Sequence, residues 1–372
     1  MMRVLVLCIF SNLIFAQLKI EQAQFRPFGI SFSGPENLST PILKDLELSG
    51  VFQKVLPAIA DGNVQIQIQN PNIDVTINSK KRFKYQLPIS KNLSHQIASD
   101  IYQFFTGEPS FFSSKIAASN TKKQIVLLDF DGQNEKQITH NKSINILPIL
   151  SPNGKEILFT SYVKKNSDLY SIDTSGNNLK IISNKPGINS GAAFSPKGNL
   201  IALTLSYEGK SDIYLAHPDG THLKRLTSGF SLNTSPSFSP DGNQIAFVSN
   251  RSGNPQIYTM SLDGSNIQKL TSQGKYNQAP KWSPIGDYVV FTGRDENKNF
   301  DVFLVDVKTQ KITRITQDQG NNDEAAFSPN GRMLVFCSTR NGSRDLFVSN
   351  LDGSFQKQIT QGEKYWTPYW GN

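Results

Sequence analysis

Beyond about residue 111, apolar residues fall in short runs such as Ile245-Ala246-Phe247-Val248 and Leu334-Val335-Phe336-Cys337, bounded by Gly, Pro, Asn and Asp. Runs this short, rich in β-branched and aromatic residues and closed by turn formers, read as strands, and no 3.6-residue apolar period connects them. Their spacing is regular. A Ser-Pro-x-Gly quartet begins at Ser151, Ser195, Ser239, Ser283 and Ser328, with intervals of 44, 44, 44 and 45 residues. Proline fixes one φ and glycine accepts a positive one, so each quartet suits a tight turn. A second series, Thr139, Ser183, Thr227, Thr271, Thr316 and Thr360, closes a short apolar strand at intervals of 44, 44, 44, 45 and 44.

Each unit reads as four strands. In one of them these are Ser235–Ser239, Gln244–Ser249, Gln256–Leu262 and Asn266–Thr271, with an Asp263-Gly264 hairpin turn before the last. Four short antiparallel strands per unit of this length make a propeller blade; leucine-rich and helical repeats differ in period or pattern. There are six strand ends but five quartets. Trp366–Gly371 stands where the missing inner strand belongs, and Lys115–Ser119 and Gln124–Leu128 supply other strands of that blade. The spacing therefore predicts a six-bladed β-propeller over 111–372 whose first blade is completed by the last strand, leaving no open edge at the seam.

Residues 17–110 lack the repeat. Phe28–Phe32, Val64–Ile68, Val75–Ile77 and Phe83–Tyr85 read as strands, Leu38–Ser49 as a helix stopped by Gly50, and Leu93–Phe105 as a helix ended by Gly107 and Pro109. The expectation is a small α/β (α+β) domain in front of a mainly β protein.

Charge and cysteines narrow the setting. Arg3, the apolar stretch Val4–Phe15 and the small Ala16 form an export signal over 1–16, too short to span a bilayer, and no later segment is long enough to do so. Cys8 lacks the preceding small residue of a lipoprotein site, so a soluble exported protein without a lipid anchor is expected. Removal of the leader leaves Cys337 alone, read as a buried strand residue rather than a reactive thiol. The formal charge of +8 falls to about +7 with Arg3 gone, which is mildly basic. Nucleic-acid binding needs a compact basic stripe with interleaved aromatics, and Lys80-Lys81-Arg82 is too short for one.

Candidates for chemistry are few. His95, His140, His217 and His222 lack metal-ligand spacing. Gly209-Lys210-Ser211 has Thr204 where a phosphate-binding loop needs glycine, and no Gly-x-Ser-x-Gly elbow occurs. No catalytic residue, cofactor or metal site is expected. Asp168, Asp212, Asp301 and Asp345 recur at the start of the third strand and are read as structural. Six residues before each quartet serine stand Asn145, Asn189, Asn233, Asn277 and Asn322, with Tyr365 in the sixth place, and Arg251, Arg294 and Arg340 recur on loops of the same face. The asparagines fall in the connections that ring one channel mouth, where they would either cap turns or, with the arginines, grip a polar or acidic partner loop.

Phe238-Ser239-Pro240-Asp241-Gly242 with Ile245-Ala246-Phe247, Arg26-Pro27-Phe28-Gly29-Ile30, and the helix with His95, Ala98, Ser99 and Asp100 ending at Thr106-Gly107 together resemble the TolB family over nearly the whole mature chain. The resemblance implies a non-enzymatic periplasmic scaffold of the Tol–Pal system, supporting outer-membrane integrity and constriction during division. It implies that the propeller binds the Pal lipoprotein at a channel mouth and that the mature N-terminus contacts TolA. The stretch between Gln53 and Val64 is shorter than in the family, and Gln17–Gln24 is brief. An exported propeller enzyme, a lyase or glycosidase, and a propeller binding another envelope ligand are the alternative readings.

Overall fold

The computed structural model describes residues 27–294, 298–362 and 364–372. The predicted leader, with Cys8, and the segment Gln17–Gln24 expected to contact TolA lie outside these residues. In the front domain, strands β1 (Phe28–Ser33), β2 (Phe52–Lys54), β3 (Gly62–Gln69), β4 (Asn72–Ile77) and β5 (Lys81–Gln86) form one sheet in the order β2-β1-β3-β4-β5. β1 runs parallel to both neighbours, whereas β3, β4 and β5 form antiparallel hairpins. Val64 and Ile66 alternate with exposed Asn63, Gln65 and Gln67, so β3 turns one apolar face to the helices.

Helix α1 (Glu36–Leu48) buries Leu38, Ile42 and Leu46, which share one face by their spacing. Helix α2 (Lys91–Thr106) starts two residues earlier than its apolar pattern predicts, because Ser90 caps it by accepting the Leu93 N–H at 3.1 Å. It stops at Gly107, whose φ of 72° is left-handed and whose N–H reaches the Gln103 carbonyl.

Six four-stranded antiparallel sheets follow. One blade comprises Asn145–Leu150, Glu156–Ser161, Asp168–Asp173 and Lys180–Ser183; the inner strands of the next four are Asn189–Phe194, Asn233–Phe238, Asn277–Trp282 and Asn322–Phe327. Each inner strand thus begins two residues before the start predicted from Ser235, and the asparagine is its first residue rather than part of a connection. The cause is a bulge at the third residue of these five inner strands and at the second of Trp366–Gly371. Leu147, Gly191, Ser235, Ala279, Glu324 and Thr367 have φ between 51° and 57°, and pairing with the second strand shifts register at each of them. A bulge breaks the two-residue alternation by which a strand is recognised and re-aims the flanking side chains.

The sixth sheet is the seam. Trp366–Gly371 pairs antiparallel with Lys115–Ser119, which pairs in turn with Ile125–Asp129. Its three C-terminal aromatic residues have different surroundings. Trp370 is buried, donates Nε1–H to Ser114 Oγ at 2.7 Å and meets Phe111 edge-on at 5.3 Å. Trp366 is half-exposed under the Lys123 ammonium, and Tyr369 lines the channel. The front domain sits on the Ser-Pro-x-Gly side of this ring. Phe111, Phe112 and Phe130 pack with Tyr102 of α2, Lys91 Nζ pairs with Asp129 and Asp131 at 3.0 and 3.2 Å, and Arg332 pairs with Glu108 at 2.8 Å.

Candidate functional site

The three periodic series of the sequence meet in one buried contact repeated around the ring. In the blade of Asp212, its Oδ1 accepts the Thr227 hydroxyl at 2.6 Å and the Asn233 amide at 2.8 Å. Asp301, Thr316 and Asn322 repeat this at 2.6 and 3.1 Å. Glutamine replaces aspartate twice: Gln124 joins Thr139 and Asn145 at 2.9 and 3.2 Å, and Gln256 joins Thr271 and Asn277 at 2.8 and 2.9 Å. In the remaining complete unit Ser183 donates to Asn189 Oδ1 at 2.6 Å while Asn189 Nδ2 donates to the Ser167 carbonyl. A third strand, a fourth strand and the next blade's inner strand are thereby tied at one point.

Asparagines 145, 189, 233, 277 and 322 are at most 2% exposed. Their amides are consumed inside the protein, which corrects the expectation that they form a gripping ring on the surface. Burying an amide is tolerable only with its hydrogen bonds made, and these are made within the blade junctions. Tyr365, in the sixth place, is likewise buried and its hydroxyl donates to Glu135 at 2.5 Å.

Two of the three arginines belong to the same junctions. Arg251 Nη2 donates to Asn233 Oδ1 at 3.0 Å and its guanidinium lies over Phe247 and Tyr258; Arg340 Nη2 donates to Asn322 Oδ1 at 2.9 Å and stacks on Phe347 at 4.4 Å. Burial pushes Arg340 down to about 10. Arg294 alone of the three is exposed, over the rings of Tyr276 and Phe300.

What this mouth offers to solvent is different. Ile144, Ile188, Leu232 and Tyr276, each immediately before a buried asparagine, are 47, 43, 48 and 36% exposed, and Phe230 beside them is 94% exposed. They occupy four consecutive blade junctions. Tyr162 N–H bonds to the Ile144 carbonyl and Arg294 N–H to that of Tyr276, so second-to-third strand loops lie alongside. Exposed Lys142, Lys164, Lys165, Lys185, Lys210 and Lys275 stand on these connections and loops. The result is an apolar crescent in a basic field, of the kind that marks an interaction surface. The opposite mouth carries acidic hairpin turns, among them Asp173, Asp219, Asp263 and Asp352, whose carboxylates accept N–H bonds of their own turns. The signal for the crescent in the sequence is the 44-residue recurrence of an apolar or aromatic residue before four of the five asparagines, Asn322 being preceded by Asn321.

Among the described residues, Asp323, Glu324 and Cys337 bring three possible metal-ligand atoms within 4.8 Å of one another. The Arg344 guanidinium sits on both carboxylates, with 2.9 Å to Glu324 Oε2, and supplies the positive charge itself. Burial, with Glu324 beside it, pushes Asp323 up to about 6, and burial raises the Cys337 thiol well above its usual value. A protonated thiol and carboxylates held by arginine make a poor cation site. His95 Nδ1 meets Asp45 at 2.6 Å under Phe130, and His217 stacks on His222 at 4.3 Å across an exposed turn.

A six-bladed propeller whose junctions are locked from within, with an α/β domain on one mouth and an exposed crescent on the other, is built as a rigid ring that presents surfaces. A family model described as the TolB β-propeller domain matches residues 102–372, and the chain belongs to that family. A Tol–Pal system protein TolB of Geobacter sulfurreducens is 40% identical over 80 residues, 21% of this chain and 18% of that protein. A TolB homolog of Chlorobium chlorochromatii is 35% identical over 143 residues, 37% of this chain and 32% of that protein. The chain thus matches less than a third of the length of the Geobacter relative and about a third of the Chlorobium one. The crystal structure of TolB from Acinetobacter baumannii superposes with a TM-score of 0.80 at 24% identity, covering 93% of this chain and 97% of that one, which shows the shared fold. Among the described residues no helix is long and apolar enough to cross a membrane.

Proposed function

We propose that this chain is a periplasmic interaction scaffold of a Tol–Pal system, without catalytic turnover, that docks the Pal lipoprotein on the mouth opposite its front domain. In this reading the segment before residue 27 links to TolA, and the assembly supports outer-membrane integrity and constriction during division. The observation that carries the proposal is the crescent of Ile144, Ile188, Leu232, Tyr276 and Phe230 among exposed lysines. Large exposed apolar side chains bring the burial energy of an interface, and the surrounding positive charge selects and steers an acidic partner. The buried asparagines and Arg251 and Arg340 hold the loops that display these groups, and Arg294 is placed to reach the partner directly.

Calorimetric titration with the soluble domain of the cognate Pal tests this. Ile188→Ser, Phe230→Ser and Leu232→Ser combined should weaken binding by about 10- to 100-fold, as expected when central contacts are removed. Because these side chains are exposed, melting should hardly move. Undiminished affinity in a folded triple variant would remove the crescent from the interface.

A further inference from the structure

The Ser-Pro-x-Gly mouth, on the side of the front domain, opens into a cavity of about 400 Å³. Pro152, Pro196, Pro240, Pro284 and Pro329 of the repeated turns set its rim, and Trp282, Tyr369 and Trp370 contribute aromatic wall. Lys281 stands at its floor and also borders the narrower part of the channel beyond. It is the fifth residue of its inner strand. The residues two beyond the bulge in the other five inner strands, as Lys281 is beyond Ala279, are Ile149, Ala193, Ser237, Ala326 and Tyr369. Five neutral side chains therefore surround one ammonium at that level.

Among the described residues, Lys281 Nζ has no hydrogen-bond or ion-pair partner; it lies over the Tyr369 ring, 5.9 Å from its centre. The carboxylate nearest in register is Glu324, two positions toward the far mouth, and it is held by Arg344 at 2.9 Å and by the Thr367 N–H at 2.7 Å. Asn372 lines the cavity level with Pro284, at the rim and three residues along the strand from Lys281. Burial pushes the ammonium down to about 8. A half-buried ammonium with no counter-charge is costly, and a protein that keeps one in a cavity normally supplies the matching charge from elsewhere.

We propose that this cavity binds a small organic carboxylate with an aromatic or apolar body, its carboxylate on Lys281 Nζ and its body against Trp282 and Tyr369 within the proline rim. The volume lies within the range of ordinary small-molecule sites. The floor offers one cation and no second donor of like strength, which suits a monoanionic carboxylate better than a polyphosphate, for which several donors are needed. The apolar wall disfavours a fully hydrated inorganic anion. This site is on the opposite mouth from the crescent proposed to dock Pal and stands independently of that reading.

The test uses the full chain and benzoate as probe, followed by calorimetry and by tryptophan fluorescence, since Trp282 and Trp370 border the cavity. The expected result is a saturable benzoate response weakened at least tenfold in Lys281→Met and in Lys281→Gln, with no saturable response to benzyl alcohol over the same range. Thermal melts of both variants check folding, and the Nζ resonance of isotopically labelled lysine in the unsubstituted protein should shift on saturation whatever the variants do. Equal benzoate binding in the folded variants, or no saturation and no Nζ shift, overturns the proposal. Tighter binding of inorganic phosphate than of benzoate also overturns it, because the apolar body would then contribute nothing.

Discussion

Replacing Asn233 with alanine separates the work of the buried junction from the work of the exposed crescent next to it. Asn233 Nδ2 donates to Asp212 Oδ1 at 2.8 Å and to the Ser231 carbonyl at 3.2 Å, while Oδ1 accepts from Arg251 at 3.0 Å. Asp212 is fully buried, and with alanine at 233 it keeps Thr227 and Arg225 but loses a donor. Hydrogen bonds to charged groups contribute about 1.5–3 kcal/mol each, and a buried partner left unpaired costs about 1–3 kcal/mol. Water can enter beside Arg251 and recover part of this, so the net loss should be about 2–4 kcal/mol. In a propeller of this size that lowers the melting temperature by several degrees. Leu232→Ser, one residue away and 48% exposed, should change stability by less than about 0.5 kcal/mol. Thermal melts and Pal titrations of both variants form the assay. The reasoning fails if Asn233→Ala melts with the unsubstituted protein yet loses Pal affinity, for then the amide faces the partner.

Trp370→Ala should cost about 3–5 kcal/mol, as for other buried large-to-small changes, whereas Trp366→Ala at its half-exposed site should cost markedly less; equal losses in chemical denaturation would contradict the seam packing. Lys281 gives a pH signature. Its folded-state value near 8 lies below the ordinary 10.5, so at neutral pH the charged form destabilises the fold, and stability rises as pH climbs through 8 towards 10.5, where the folded protein has shed a proton that the unfolded chain retains. Glu324 pulls the other way and Tyr369, raised by burial, stays neutral across this window. Lys281→Met should therefore be the more stable protein at pH 7 and lose its advantage by about pH 10; a constant difference in melts across that range would refute the assignment.

The ring of blades was legible because propeller geometry is written as a period. Turn residues must recur where the turn recurs, and the sixth strand end, which has no matching quartet, pointed to the C-terminal closure. The inner strands' first two residues were not legible, since the bulge at Ser235 and its five counterparts breaks the alternation that marks a strand. The first two residues of helix α2 were not legible either, because Ser90 caps it through its side chain rather than through hydrophobicity. The site was harder still. Asparagine, aspartate and threonine recur whether they face solvent or one another, and only coordinates reveal that three periodic polar series converge on one buried contact. The exposed crescent carried the same period but in apolar residues, which sequence reasoning assigns to cores. Lys281 breaks its own series, and an exception in a repeat is visible only once the register of that repeat is known.

The seam has a consequence for how such a chain is made. Trp370 and Ser114 bond across 256 positions of sequence, so the ring cannot shut until its final strand has been synthesised. Contacts this remote are slow to form, because the entropy of the intervening loop is lost before any of them is gained. Until then Lys115–Ser119 is an unpaired strand edge and the Phe111–Phe112 cluster lacks its covering indole. A newborn chain in this state is adhesive. Rapid capture by chaperones, rather than unaided speed, would then govern how much of it reaches the closed form.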